Sequence, residues 1–320
     1  MPYYAGVDLG ATSIHAVVGN AEDAELGRDS RYTPQGPSGM AVTEAVLTAL
    51  RTACDRAGVD PAEIVAAGIG SVGPLDLAAG LVTDPANLPD TIDRIPLSGP
   101  VGELVDGPVY LHNDTTAGVI GERFYADRNP DDMVYLTISS GIGAGVCVDG
   151  NVLSGWDGNA GEVGHVTVDP SGAVTCGCGK AGHWEAYCSG EGIRRYAQHL
   201  HEGEETAVPI EDPGFGAADV FAAAGDDDFA DDVLDRVAAW NAIGIAMVVH
   251  AYAPLVIYVG GSVALNNPSV VEEMRERVPD LVFTNVPELT LSNLGDEVVV
   301  YGALASAMTG GTGDRSRLGR

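Results

Sequence analysis

Between Gly155 and Ser189 the chain reads GWDGNAGEVGHVTVDPSGAVTCGCGKAGHWEAYCS, which gathers two carboxylates (Glu162, Glu185), two histidines (His165, His183) and three of the five cysteines (Cys176, Cys178, Cys188). Two thiolates and two imidazoles, from His165, Cys176, Cys178 and His183, form the soft and borderline donor set that tetrahedral zinc prefers, and the glycines around them let the loop fold about an ion. The Cys-x-Cys spacing is tighter than in a common zinc knuckle. Glu162 and His165 stand three apart and share a face if that segment is helical, while Glu185 follows the last candidate ligand by two. Carboxylates fixed beside a metal loop can accept hydrogen bonds from a polyhydroxylated ligand. The competing reading is a reduced, solvated loop with no ion.

Other segments offer phosphate chemistry. From Tyr3 to Val18 two apolar strands flank a turn with Asp8, Gly10, Ala11, Thr12 and Ser13, so backbone N–H groups and hydroxyls can face a phosphate while the Asp8 carboxylate faces Mg²⁺ or its water. Met133–Ile138 and Ala144–Val148 repeat the pattern around Ser139, Ser140, Gly141 and Gly143. Two such hairpins, one near the start of each half, suggest a duplicated domain with a nucleotide in the cleft between the copies. Gly260, Gly261 and Ser262 follow a strand over Leu255–Val259, at the carboxyl end where α/β folds place nucleotides. A strand over Val109–Leu111 ends at His112-Asn113-Asp114, before a helix over Ala117–Ala126, where an acid is often only an N-cap. Gly73, after a buried strand over Ile64–Gly70, and Asn87, in the rigid loop Asp84–Pro89, can border a ligand cleft.

The elements that must position these groups follow from periodicity. Apolar residues at 42, 46, 47, 50, 53 and 54 give a helical stripe ending at Gly58, and Asp60-Pro61 caps a short second helix. Phe229–Tyr252 reads as a long helix. Val298–Tyr301 reads as a last strand, Gly302–Met308 as a last helix, and Thr309–Arg320 as a frayed tail. At 320 residues and 45% hydrophobic composition the expectation is two domains with large cores. The longest apolar run, near Ile243–Gly261, is broken by His250 and Pro254 and reads as helix, turn, strand rather than a membrane span. Five cysteines in a chain of this length make no disulfide framework and suit a reducing, cytoplasmic compartment.

In this order the motifs resemble the ROK family of the actin/hexokinase-like superfamily, specifically its glucokinases, over nearly the whole chain. The matches are Asp8-x-Gly10-x-Thr12, Asn113-Asp114, Gly141-x-Gly143, Gly161-Glu162-x-Gly164-His165 with Cys176-x-Cys178-Gly179, and Gly260-Gly261. The resemblance implies an α/β two-domain actin-like ATPase fold of duplicated ribonuclease-H-like domains with an interdomain cleft. Residues 1–114 with 298–320 would form the smaller domain, and residues 115–297 the larger one carrying the zinc loop and nucleotide elements. It implies ATP-dependent phosphorylation of glucose at the 6-hydroxyl, with Asp114 as general base and Gly73, Asn87, Asn113, Glu162, His165 and Glu185 around the sugar. Structural zinc on His165, Cys176, Cys178 and His183, and a homo-oligomer, dimer or tetramer, are further implications. The family usually has a third cysteine where His183 stands, which leaves Cys188 as an alternative ligand, and Ala11 stands where glycine is frequent. Other substrates open to such a chain are mannose, fructose, N-acetylmannosamine and N-acetylglucosamine. A non-catalytic sugar-responsive regulator is the rival of another class, which would carry a DNA-binding segment ahead of the first hairpin.

Sixteen basic residues against 46 acidic ones give a net charge of −30, and Lys180 is the one lysine. Nucleic-acid binding needs clustered Lys and Arg and is excluded by this balance. The acids are spread along the chain, with short concentrations such as Gly225–Asp232, so their mutual repulsion acts on the whole fold and points to a salt-rich, halophilic cytoplasm. Folding and activity are therefore expected to rise with salt toward the molar range, where the Debye length falls to about 3 Å. Thermal melts and rates across a KCl series check this, and full activity with an unchanged Tm in low salt would contradict it.

Overall fold

The computed structural model describes residues 1–85 and 87–318. Ala86, within the expected rigid loop, and the last two residues of the expected tail lie outside the described residues. The chain first forms β1 (Tyr3–Leu9), β2 (Ser13–Gly19), β3 (Gly27–Tyr32), α1 (Gly39–Ala57) and β4 (Ile64–Ser71). Three short strands follow, β5 (Leu75–Asp76), β6 (Leu81–Thr83) and β7 (Arg94–Pro96), then α2 (Ser98–Gly102), β8 (Val109–Asn113) and α3 (Asp114–Tyr125). After them come β9 (Met133–Ile138), β10 (Ile142–Val148), β11 (Asn151–Val152), α4 (Glu185–Cys188) and α5 (Gly190–Leu200). The last part supplies α6 (Ala217–Ala223), α7 (Asp228–Tyr252), β12 (Val256–Gly260), α8 (Ser262–Asn266), α9 (Ser269–Arg277), β13 (Glu288–Leu291) and α10 (Val298–Thr309).

By compactness the chain divides into one unit of residues 1–133, 145–161 and 296–320 and a second of residues 134–144 and 162–295. The return of the C-terminal helix to the first unit is common to this division and to the one expected from sequence. Compactness also groups α3 and residues 145–161 with that unit.

The first unit is built on a sheet of order β3-β2-β1-β4-β8, with β1, β4 and β8 parallel and β2 and β3 antiparallel to their neighbours. The stripe on α1 buries Val42, Val46, Leu50, Ala53 and Cys54, and Gly58 ends the helix in the left-handed conformation. Asp60 caps a 3₁₀ turn at Pro61–Glu63 through a capping box. β5, β6 and β7 form a separate small antiparallel sheet.

α10 departs from expectation: Val298–Thr309 is one helix, not a strand followed by a helix. The run Val298-Val299-Val300-Tyr301 has strand propensity, but propensity yields to packing. The helix passes so near its neighbours that a Cβ at Gly68 on β4 would fall 1.9 Å from Ala303 O, and one at Gly302 would fall 1.9 Å from Ala117 O on α3. An apolar segment with small residues on the contacting faces is buried all round, and a core helix satisfies its own backbone there. The expected fraying of the tail also gives way to order through residue 318. Arg123, fully buried, donates to the carbonyl oxygens of Pro130, Gly150 and Thr312, and Arg315 N donates to Asn129 Oδ1 at 3.2 Å.

The second sheet has order β11-β10-β9-β12-β13, with β12 and β13 parallel; β10 passes from the second unit to the first after Ala144. α7 is long and apolar enough by composition to cross a bilayer, yet Val233, Val237, Ile245, Val248 and Val249 along it are buried in its own fold. The indole of Trp184, wholly buried just before α4, packs on α7 where a Cβ at Gly244 would fall 2.3 Å away, and its Nε1 donates to Asn241 Oδ1 at 2.9 Å. α4 is thereby fixed to the longest helix of its unit.

Candidate functional site

In the first unit the register of three parallel strands aligns Leu9, Ser71 and Asn113 at the carboxyl edge of the sheet. Asp8 precedes this row and Asp114 follows it, with Gly70 opposite Asp8 on the strand between them. Asn113, not Asp114, is the N-cap of α3: its side-chain oxygen accepts from Thr116 N at 2.7 Å. The Asp114 carboxylate accepts from Thr115 N at 2.7 Å; the residue is exposed to solvent, while its carboxyl group is surrounded by protein atoms. Desolvation raises its pKa. Burial first, and the charge of Asp114 second, push Asp8 up to about 7. A carboxyl raised by burial and by the charge of a neighbouring carboxylate is a sink for a cation, and perturbed groups of this kind mark functional sites. The turn beyond Asp8 is closed by Gly10 N donating to Ser13 O at 2.9 Å and by Thr33 Oγ1 donating to Gly10 O at 2.7 Å. Gly73 and Asn87 are exposed, and among the described residues neither is hydrogen-bonded to another candidate site residue.

In the second unit the β9–β10 tip and the turn after β12 meet, with Ser139 Oγ and Ser262 Oγ 3.1 Å apart. Gly261 has φ +84° there, and a side chain would strike Ile138 O, so only glycine lets the turn sit on β9. Ser139, Ser140 and Ser262 line a cavity of about 640 Å³. Sequence reasoning missed its other walls, including Gly190, Gly216, Phe221 and Asn267. The small residues at the starts of α5 and α6 were the available signal.

The four expected metal ligands converge. One donor atom from each of His165, Cys176, Cys178 and His183 lies within 4.8 Å of all the others, with Cys178 Sγ 3.3 Å from His183 Nδ1 and Cys176 Sγ 3.8 Å from His165 Nδ1. Cys188 is no alternative ligand, because its thiol is buried against Val237 O at 3.4 Å. Burial pushes the Cys176 thiol up to about 12, so a bound cation is what would make it a thiolate. The loop is braced from below: Tyr187 Oη donates to Asp169 Oδ2 at 2.6 Å, and Asp169 also accepts from Ser171 N and Ala173 N. These bonds outweigh burial and hold the Asp169 pKa down at about 2.

Glu162 and His165 lie on one 3₁₀ turn with Oε2 and Nε2 3.7 Å apart. Gly164 between them packs where a Cβ would fall 2.2 Å from Ile142 O. Glu185 reaches both neighbouring features. Its Oε1 is 3.3 Å from Cys176 Sγ, and its Oε2 accepts from Ile142 N at 2.9 Å.

Residues 4–309 match the ROK family. The glucokinase of Pyrobaculum calidifontis is 35% identical over 313 residues, covering 96% of this chain and 95% of its own. The crystal structure of a ROK hexokinase from Thermus thermophilus superposes with a TM-score of 0.82 at 33% identity, over 95% of this chain and 97% of that one. A ROK family glucokinase from Streptomyces griseus in complex with glucose and AMPPNP gives 0.72 at 29% identity, over 95% and 99%. Two mixed α/β units of this kind are the actin-like ATPase fold.

The Asp8 shift has a direct consequence for stability. A carboxyl whose folded pKa lies above its unfolded value near 4 contributes stability that is complete below pH ~4 and is lost as pH rises through about 7. Asp8→Asn removes that loss. Without Mg²⁺ or nucleotide, the variant is expected to gain on wild type by roughly 2–6 °C in Tm between pH 5 and pH 8. A Tm difference independent of pH would contradict the assignment.

Proposed function

The chain belongs to the ROK family and is a sugar kinase, and on that premise we propose that it transfers the γ-phosphoryl group of ATP to the 6-hydroxyl of glucose. The observation that carries the detail is Asp114, a recessed carboxylate at the end of a parallel strand, spared capping by Asn113 and raised in proton affinity. Such a group suits a general base, which works best when its pKa approaches the working pH. In-line phosphoryl transfer needs little covalent chemistry from the protein beyond a positioned hydroxyl, a base at its proton and donors around the phosphates. Asp114 takes the proton from the sugar O6. Thr12, Ser13, Ser139, Ser140 and the glycine amides of the two hairpins, with Gly260–Ser262, supply the phosphate donors, and the 640 Å³ cavity suits a nucleoside. Asp8 is the residue that would hold Mg²⁺ or its water, and the ion supplies charge neutralisation at the phosphates. Glu162 and Glu185 accept from hydroxyls near the anomeric end, His165 donates to one through the ring nitrogen that zinc would leave free, and Asn113 and Asn87 offer their amides to the other hydroxyls, with Gly73 bordering the ligand.

His165, Cys176, Cys178 and His183 would hold zinc, for which a compact Cys₂His₂ donor set is suited. The ion there supplies folding energy rather than chemistry. Five free thiols fit a reducing cytoplasm.

Asp114→Asn keeps shape and hydrogen bonding but cannot accept a proton. It is expected to lower kcat by ~10²–10⁴-fold with glucose affinity nearly intact, and a variant with wild-type kcat would remove Asp114 from the role. In the same coupled ADP-release assay in molar salt, glucose should show the highest kcat/KM, with mannose and 2-deoxyglucose lower and galactose lowest. A sugar that leaves one buried polar group unpaired loses ~1–3 kcal/mol. Should N-acetylmannosamine or fructose lead that panel, the glucose assignment falls while the kinase stands.

Metal analysis is expected to find about one zinc per chain, lost together with several degrees of Tm in Cys176→Ser and Cys178→Ser. Active, zinc-free protein would remove the metal from the scheme.

A further inference from the structure

The β9–β10 tip stands between two neighbours. One side faces the 640 Å³ cavity through Ser139 and Ser140. The other rests on the Glu185 carboxylate: Ile142 N donates to Oε2 at 2.9 Å, and a Cβ added at Gly141 would fall 2.7 Å from the same oxygen. The backbone of Gly141 imposes no left-handed conformation, so its missing side chain matters here for space. The tip is also tied on the α4–α5 side, where Gly190 N donates to Ser139 O at 2.7 Å, and across its own turn, where Ser139 N donates to Gly141 O at 2.9 Å. Glu185 itself starts α4, which Trp184 clamps to α7 through Asn241 and Gly244. With its backbone fixed, the carboxylate can respond to a ligand only by rotating its own side chain. Any such rotation moves the acceptor on which Ile142 N and Gly141 rest.

From this geometry we propose that Glu185 couples the two substrates: a sugar held by its carboxylate fixes the β9–β10 tip and thereby tightens nucleotide binding in the adjoining cavity. The coupling rests on the reading of Glu185 as a sugar ligand and adds to it a path, Glu185 to Ile142 and Gly141 to Ser139 and Ser140, that lies wholly within the second unit. A tip already ordered by the sugar costs the nucleotide less to order, which gives positive cooperativity, and by linkage the nucleotide must tighten the sugar by the same factor.

The test is calorimetric titration of the full chain, in molar salt with Mg²⁺, using a non-hydrolysable ATP analogue with and without saturating glucose, and the reciprocal titration. In wild type each ligand should tighten the other by about fivefold or more. Gly141→Ala pushes on a mobile carboxylate rather than on backbone, so the fold is retained, and the factor should drop to within about twofold of unity. In Glu185→Gln the amide oxygen can still accept from Ile142 N, and the factor should stay within about twofold of wild type while glucose alone binds more weakly. If Gly141→Ala loses nucleotide binding outright, Glu185→Ala at saturating sugar decides, with loss of the factor supporting the path and its retention overturning it. A wild-type factor in Gly141→Ala, or no factor in a wild type that binds both ligands, overturns the coupling and leaves the kinase reading intact. Failure of glucose to bind wild type while another hexose binds overturns the glucose reading instead, and the same titrations with that hexose then decide the coupling.

Discussion

Two carboxylates held in each other's field set the terms for the first unit. Asp8 and Asp114 reach the same sheet edge because β1, β4 and β8 run parallel and in register, and their repulsion adds to the cost of burial. A fold tolerates this only over a core able to carry it. Val7, Leu9 and Ile69 lie fully buried in the same strands, backed by the stripe of α1. The site is therefore a local loss of stability supported by apolar burial beneath it, the usual relation between a strained functional edge and its scaffold.

The scaffold reaches its density through missing side chains. Gly6, Gly68, Gly121 and Gly302 let α10 lie on both the sheet and α3, and in the second unit Gly244 receives the Trp184 indole while Gly164 admits Ile142 O. Each is a place where one methyl group would meet backbone or a packed ring, so the positions of Asp114 and Glu185 are fixed by contacts well away from their carboxylates.

What was legible in the sequence followed from local rules. The stripe of α1 and its Gly58 terminus, the cap at Asp60, the two hairpins and the Cys/His spacing are all short-range patterns, and they gave both the elements and the Cys/His cluster. The failures came where distant chain decided. Val298–Tyr301 carries a strand's composition and forms a helix because three neighbours close around it, and the tail is ordered by Arg123, nearly two hundred residues earlier. Asp114 was readable as an acid at a strand end, but its release from capping depends on Asn113 taking that task, a matter of φ and ψ. The Glu185–Ile142 bond has no sequence signature, since a backbone N–H is common to almost every residue.

The single lysine places a chemical handle where the molecule is busiest. Lys180 is exposed, two residues past Cys178, and its carbonyl accepts from Cys176 N at 2.8 Å. Amine-directed reagents therefore have one side-chain target in the whole chain, besides the amino terminus. A dye attached there would ride on the Cys/His loop, whereas a bead or cross-linker coupled by the same chemistry would tether the protein by that loop. Arginine in place of lysine elsewhere has turned an ordinary coupling reaction into a site-selective one.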